Sequence, residues 1–184
     1  MPSLVGSEMC IRDSSWGDPA TPQNYTQLSK LKDLVSEKIT DREVYKLYWG
    51  EGDLTASHLS QLLSGGYAFV NFAGHGKGSG WLLDWYAPLN SEEFTEGDAR
   101  ALTNGYRLPV VSTMACSTAK IDDSDSIGEW FLLNPEGGAI AYYGSTRIAW
   151  IYEEEIESGL MGEIDLRIYE AYEEGHRGLG EMWG

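Results

Sequence analysis

Tyr67-Ala-Phe-Val-Asn-Phe-Ala-Gly-His-Gly76 decides how this chain folds. Its first seven residues are an apolar run too short for a buried helix, so a strand is predicted. The run stops at His75, which stands between two glycines. A second stretch, Leu108-Pro-Val-Val-Ser-Thr-Met-Ala-Cys116, repeats the pattern of an apolar strand ending at a residue that can do chemistry. His75 and Cys116 are 41 residues apart, room for one crossover helix between parallel strands. Both side chains would then emerge at the carboxyl edge of one sheet, where ligands and catalytic groups of open parallel sheets collect. A histidine and a cysteine at that edge point to hydrolysis through a thiol.

The flanking sequence supplies the rest of an α/β fold. Residues 25–39 place Leu28, Leu31, Leu34 and Val35 on one helical face. Residues 43–49 alternate loosely as a strand that ends at Gly50-Glu-Gly-Asp53. Thr55 is then the expected N-cap of a helix through Leu63, stopped by Gly65-Gly66. Residues 81–86 read as a short strand or hairpin. Residues 91–103 read as a helix with acidic residues in its first turn, closed by Asn104-Gly105. Further on come a helix over 126–133, a turn at 134–138, and an apolar strand over 139–143 ending at Gly144-Ser-Thr-Arg147. Residues 156–183 show the spacing of an acidic helix. This alternation predicts a mainly parallel sheet with helices on both faces.

Composition narrows the partners. The 184 residues carry 29 Asp and Glu against 13 Lys and Arg, a net charge of −16. Nucleic-acid binding depends on neutralising phosphates with cations, so no nucleic-acid partner is expected, nor an anionic membrane surface. No apolar stretch approaches the roughly 18 residues of a membrane span. Acidity suits an extracellular or high-salt setting. Two cysteines, Cys10 and Cys116, make no disulfide framework.

Residues 1–14 read differently from the rest. They lack helical or strand periodicity and closely resemble a translated sequencing-adapter sequence. They are expected to be a non-native tail outside the fold, with the domain spanning 15–184. That domain is expected to be truncated at both ends, because residues 156–183 lack a following strand.

Other chemistries find no support. The glycines of residues 74–80 do not form G-x-x-x-x-G-K-[ST] and no helix follows them, which argues against a phosphate cradle. There is no G-x-S-x-G elbow. His58, His75 and His176 lack zinc spacing. Asp122-Asp-Ser-Asp125 weakly suggests structural calcium but lacks the glycine and distal glutamate of an EF-hand loop. No cofactor and no metal are therefore expected. Glu153-Glu-Glu155 and Glu173-Glu174 read as a solvated helix face.

The run Phe69-Val-Asn-Phe-Ala-Gly-His-Gly76, the run Leu108 to Thr118, and Ser126-Ile-Gly-Glu-Trp-Phe-Leu-Leu-Asn-Pro-Glu-Gly-Gly-Ala-Ile-Ala141 with Gly144-Ser-Thr146 resemble the gingipain-type cysteine peptidases. That family belongs to a caspase-like group with legumain, clostripain and separase. The caspase signature Gln-Ala-Cys-x-Gly is met only at Ala115-Cys116, which favours the gingipain branch. The resemblance implies a caspase-like three-layer sandwich and a secreted or cell-surface endopeptidase acting on protein or peptide substrates. It makes Cys116 the nucleophile, His75 its partner, and the backbone N–H groups of Gly76 and Cys116 the oxyanion hole. It places Trp150 over the primary side-chain pocket. The carboxylate that orients the imidazole would be Asp18 or a residue missing from the chain. A pocket for Arg or Lys would draw its carboxylate from Asp84, Asp122, Asp123 or Asp125. A cell-surface transpeptidase on the same fold would keep both His75 and Cys116. A catalytically silent binding domain is the remaining alternative.

Overall fold

The computed structural model describes residues 8–12, 27–48, 54–83, 92–122, 124–152 and 155–183. In chain order the elements are β1 (Glu8–Arg12), α1 (Gln27–Glu37), β2 (Val44–Tyr48), α2 (Ala56–Gly65), β3 (Phe69–Ala73), β4 (His75–Lys77), β5 (Gly80–Leu82), β6 (Glu93–Thr95), α3 (Glu96–Arg100), β7 (Val110–Met114), α4 (Ile127–Leu133), β8 (Ala141–Tyr143), α5 (Leu160–Glu173) and α6 (Leu179–Met182). Five strands form a parallel sheet in the order β2-β1-β3-β7-β8. A smaller antiparallel sheet has the order β4-β5-β6.

Strand alternation sends successive side chains to opposite faces, and each face is covered. Val70, Phe72 and Val111 pack with Leu59 and Leu63 of α2, Trp81 and Phe94 of the small sheet, and Phe131 of α4. Phe69, Ala73 and Met114 pack on the other face with Leu31 and Val35 of α1 and with Ile168, Tyr169 and Tyr172 of α5. The result is the three-layer α/β sandwich expected, with a mainly parallel sheet between helices.

The two faces differ in chemistry. On the first, the fully buried Trp81 stacks on Phe72 (4.8 Å between ring centroids), Phe131 (5.2 Å) and Phe94 (5.3 Å). Its Nε1 donates to the Tyr142 hydroxyl at 3.0 Å, so the indole's one polar atom is satisfied. On the second, Lys32 of α1 and Asp165 of α5 form a buried ion pair at 3.5 Å. Asn71 donates through Nδ2 to Asp165 (2.6 Å) and to Ser112 (2.7 Å), and the Ser112 hydroxyl pairs with Tyr169 at 2.9 Å. This network joins α1 and α5 to the two central strands β3 and β7.

Local signals decide several boundaries. Thr55 caps α2 by accepting from the His58 N–H at 3.1 Å, as its position predicts. Ser126 and Glu129 form a reciprocal capping box at the start of α4. The segment expected as one helix over 91–103 is instead strand β6 followed by the five-residue α3. Thr95 and Asp98 make the capping box there, so the helix starts after Thr95. Phe94, upstream of that cap, pairs opposite Trp81 in the small sheet and is buried. Among the described residues, the connection from β3 to β7 is therefore the small sheet plus one short helix, rather than a single crossover helix. The strand expected over 139–143 is confined to Ala141–Tyr143, and Ile140 is 64 % exposed. The final helix breaks after Glu173 and resumes at Leu179.

The expectation that residues 1–14 stand outside the fold needs correction. Glu8–Arg12 lies inside the main sheet, with Met9 opposite Tyr45 of β2 on one side and Val70 of β3 on the other. A strand between two others has its backbone groups claimed on both edges, which can hold five residues extended whatever their own pattern. Met1–Ser7 and the segment 13–26, which includes Asp18, lie outside the described residues.

Candidate active site

Register brings the strand ends that precede His75 and Cys116 side by side. Ala73 of β3 stands opposite Met114 of β7, and the Gly74 N–H donates to the Met114 carbonyl at 3.1 Å. His75 and Cys116 each follow two residues beyond that last pair, on strands whose axes run about 4.8 Å apart. After His75 the chain turns into β4 and leaves the main sheet. After Cys116 it turns back sharply, and Ser117 adopts φ 60°. A non-glycine residue in that left-handed region carries backbone strain, which recurs at functional turns.

The two segments touch. A Cβ built on Gly76 would lie 2.7 Å from Thr118 Cγ2, 2.9 Å from Ala115 Cβ and 2.9 Å from the Cys116 carbonyl oxygen. Only a residue without a side chain allows β4 to come this close to the turn that bears the thiol. This is the physical content of the glycine after His75.

The Cys116 turn is clamped by the segment that leaves β8. The Ser117 N–H donates to the Arg147 carbonyl (2.8 Å) and the Ala119 N–H to the Ser145 carbonyl (3.1 Å). The Ala149 N–H points at Cys116 Sγ from 3.3 Å. Cys116 itself is half-buried. His75 is half-buried as well, and its Nε2 is shut off from solvent. Burial pushes the imidazole below its ordinary value of 6.5, which favours the neutral ring. A neutral imidazole can accept a proton from a thiol.

An open cleft of about 470 Å³ adjoins the turn, lined by Ser117, Lys120, Asp122, Arg147, Ile148 and Trp150. Trp150 is 66 % exposed, a large apolar surface held at the mouth of the cleft. The Arg147 guanidinium grips the Asp122 carboxylate with both nitrogens, at 2.7 and 3.1 Å. That hydrogen-bonded cation holds the Asp122 carboxyl below the usual carboxylate range. Of the four carboxylates considered for a basic side-chain pocket, Asp122 thus lines the cleft but is already engaged. Asp125 is exposed and is not among the lining residues, and Asp84 and Asp123 lie outside the described residues. Among the described residues, no group of three or more His, Cys, Asp or Glu is placed to hold a metal ion, and no helix is long and apolar enough to cross a membrane.

The sequence did not assign roles to Thr118, Arg147 or Ala149. A signal for the last two existed: Gly144-Ser-Thr-Arg147 leaves a strand at the same carboxyl edge as Cys116, where substrate-binding loops gather. Thr118 offered no such signal, because its contacts come from four separate elements, β4, β7, α4 and β8.

The family model described as "Peptidase family C25" matches residues 7–184. Among solved structures, the chain is similar to the Arg-specific cysteine proteinase gingipain R (RgpB), with a TM-score of 0.73 and 19 % identity over 97 % of this chain and 40 % of that one. It is also similar to the complex of Porphyromonas gingivalis RgpB pro- and mature domains, with a TM-score of 0.64 and 18 % identity over 92 % of this chain and 37 % of that one. A further structure described as a protease gives a TM-score of 0.60 at 16 % identity, over the whole of this chain and 47 % of that one. The chain thus spans less than half the length of these structural relatives. No curated protein matches it.

Proposed function

The chain belongs to peptidase family C25, and from that premise we propose that it is a cysteine endopeptidase in which Cys116 and His75 form the catalytic pair. His75 takes the proton from Cys116 Sγ, and the thiolate attacks the scissile carbonyl carbon to form a carbon–sulfur bond. The N–H groups of Gly76 and Cys116 receive the oxyanion of the tetrahedral intermediate. The C–N bond then breaks as the imidazolium returns its proton to the leaving amine. Water, deprotonated by the same imidazole, releases the acyl group and restores the thiol. Trp150 covers the side chain of the substrate that enters the cleft beside Ser117. The substrate is a protein or peptide met outside the cell or at its surface.

One observation carries this reading. The backbone of Gly76 lies against the carbonyl of Cys116 at a distance that admits no side chain, so the histidine-bearing and cysteine-bearing segments meet there, which supports a shared site. Burial favours the neutral ring of His75, the form from which a proton can be accepted.

The test is turnover of an internally quenched peptide library by the chain and by its Cys116→Ala and His75→Gln variants. Cleavage lost in both variants is the expected result. A folded wild-type chain without turnover, or turnover that survives Cys116→Ala, would sink the proposal. Repeating the assay with an added amine separates hydrolysis from transpeptidation, since only the latter joins the amine to the acyl fragment.

A further inference from the structure

Beneath the turn that carries the thiol runs a line of buried hydroxyls that the proposed reaction does not itself use. Thr113 Oγ1 donates to the Tyr143 carbonyl at 3.1 Å. That spends its single proton, so in the 2.9 Å pair between Thr113 and Thr118 it is Thr118 that donates. The Tyr142 phenol lies beside this pair, in hydrogen-bond contact with both threonines. Trp81 Nε1 in turn donates to Tyr142 at 3.0 Å. These groups tie the indole of the small sheet, through Tyr142, Thr118 and Thr113, to the backbone of β8. Burial pushes the Tyr142 phenol up to about 12, so its proton stays in the chain across the working pH range.

Thr118 is the member of this line that meets the site. It is fully buried. Its methyl occupies the space where Gly76 lacks a side chain, 2.7 Å from that missing Cβ. Its carbonyl accepts from the Gly128 N–H at 3.0 Å, which ties the turn to the start of α4. Gly144 has no room for a Cβ because both threonine hydroxyls would lie 2.7 Å from it. Thr118 is therefore held from several sides while its methyl abuts the strand that carries Gly76.

We propose that Thr118 is a positioning residue for the oxyanion hole: its methyl sets the gap between Gly76 and the Cys116 turn, and its hydroxyl fixes that setting to the sheet. The proposal rests on the peptidase reading of His75, Gly76 and Cys116. Amide donors stabilise an oxyanion only when aimed to within a few tenths of an ångström, so a loosened gap weakens the tetrahedral step and leaves the sulfur intact.

Two substitutions divide the contributions. Thr118→Ser keeps the hydroxyl line and removes the methyl, while Thr118→Val keeps a methyl and breaks the line. Each variant is assayed for kcat and KM on a peptide coumarin amide selected with the wild-type chain. Each is also assayed for the rate at which iodoacetamide alkylates Cys116, a direct displacement at carbon that forms no oxyanion. Thr118→Ser is expected to lower kcat about tenfold or more, with KM and the alkylation rate changed less than about threefold. Thr118→Val is expected to lower kcat less and to lower Tm. The proposal is overturned if both variants turn over within about twofold of wild type, or if alkylation falls in step with kcat in both. A wild-type chain that neither turns over peptides nor is alkylated at Cys116 would overturn the peptidase reading, and the role of Thr118 with it.

Discussion

The two faces of the main sheet solve one packing problem in opposite ways. The face under α2, α3 and α4 is aromatic, with Trp81 between Phe72, Phe94 and Phe131. The face under α1 and α5 is crossed by the buried Lys32–Asp165 pair, with Asn71, Ser112 and Tyr169 in attendance. Apolar stacking is rigid and tolerates no gap, and this face is the one that carries the small sheet with His75 and Gly76. A buried ion pair is directional, and it fixes how two helices sit on β3 and β7 while contributing little net stability. The site thus draws its rigidity from rings and its strand-to-helix alignment from charge.

Trp81→Ala attacks the first face and should cost about 3–5 kcal/mol, since it opens a large cavity under a fully buried ring. Chemical denaturation reads the loss, and a shift under about 1 kcal/mol would mean that the stack is not what holds the small sheet. Asp165→Ala attacks the second face and should cost a similar amount, about 3–5 kcal/mol, for a different reason. It strands the Lys32 ammonium in a dry site and removes an acceptor from Asn71. The contrast is sharpened by repair. The double variant Lys32→Met, Asp165→Leu should recover most of the loss in the same denaturation assay, because it removes both charges. No double substitution that removes mass from the aromatic face can do so.

Smaller effects are expected at the site itself. Trp150→Ala should leave stability within about 0.5 kcal/mol, as for other exposed positions. It should raise KM roughly tenfold, the scale of one lost apolar pocket contact. An unchanged KM would remove Trp150 from the substrate cleft. The smallest effect concerns protons. Because burial lowers the affinity of His75 for a proton, the unfolded chain binds more protons there as pH falls past 6.5, and stability declines with it. The same lowering puts the acid limb of kcat/KM below pH 6.5, since catalysis needs the neutral ring. His75→Gln should flatten the stability slope in that window, measured by urea midpoints at several pH values. An acid limb above 6.5 would contradict the burial account.

Much of this was legible in the sequence where the signal is local or strongly periodic. The strands ending at His75 and Cys116 lie where their apolar runs place them, and Thr55 and Ser126 cap the helices that follow them. What escaped depends on distant partners. Glu93-Phe94-Thr95 fits either a helix or a strand, and its pairing with β5 decides. Glu8–Arg12 is too short to show a period, and pairing on two sides makes it a strand. His75-Gly-Lys77 carries no strand signal of its own, and its pairing with Gly80–Leu82 across the small sheet makes it a strand. In the site, Cys116 and His75, the proposed nucleophile and its partner, were legible from the apolar strands that precede them. The Arg147 grip on Asp122 was not, because nothing in the sequence brings residues 25 positions apart together. Thr118 was hidden for the same reason.

The central claim is that His75 and Cys116 work as one site at the carboxyl edge of β3 and β7. The most direct measurement is mass spectrometry of the chain after reaction with a peptidyl acyloxymethyl ketone, alongside the His75→Gln variant. The account predicts a single adduct, on Cys116, formed at a rate that falls at least about a hundredfold in His75→Gln. A folded chain that forms no adduct, or one labelled equally fast without His75, would contradict it.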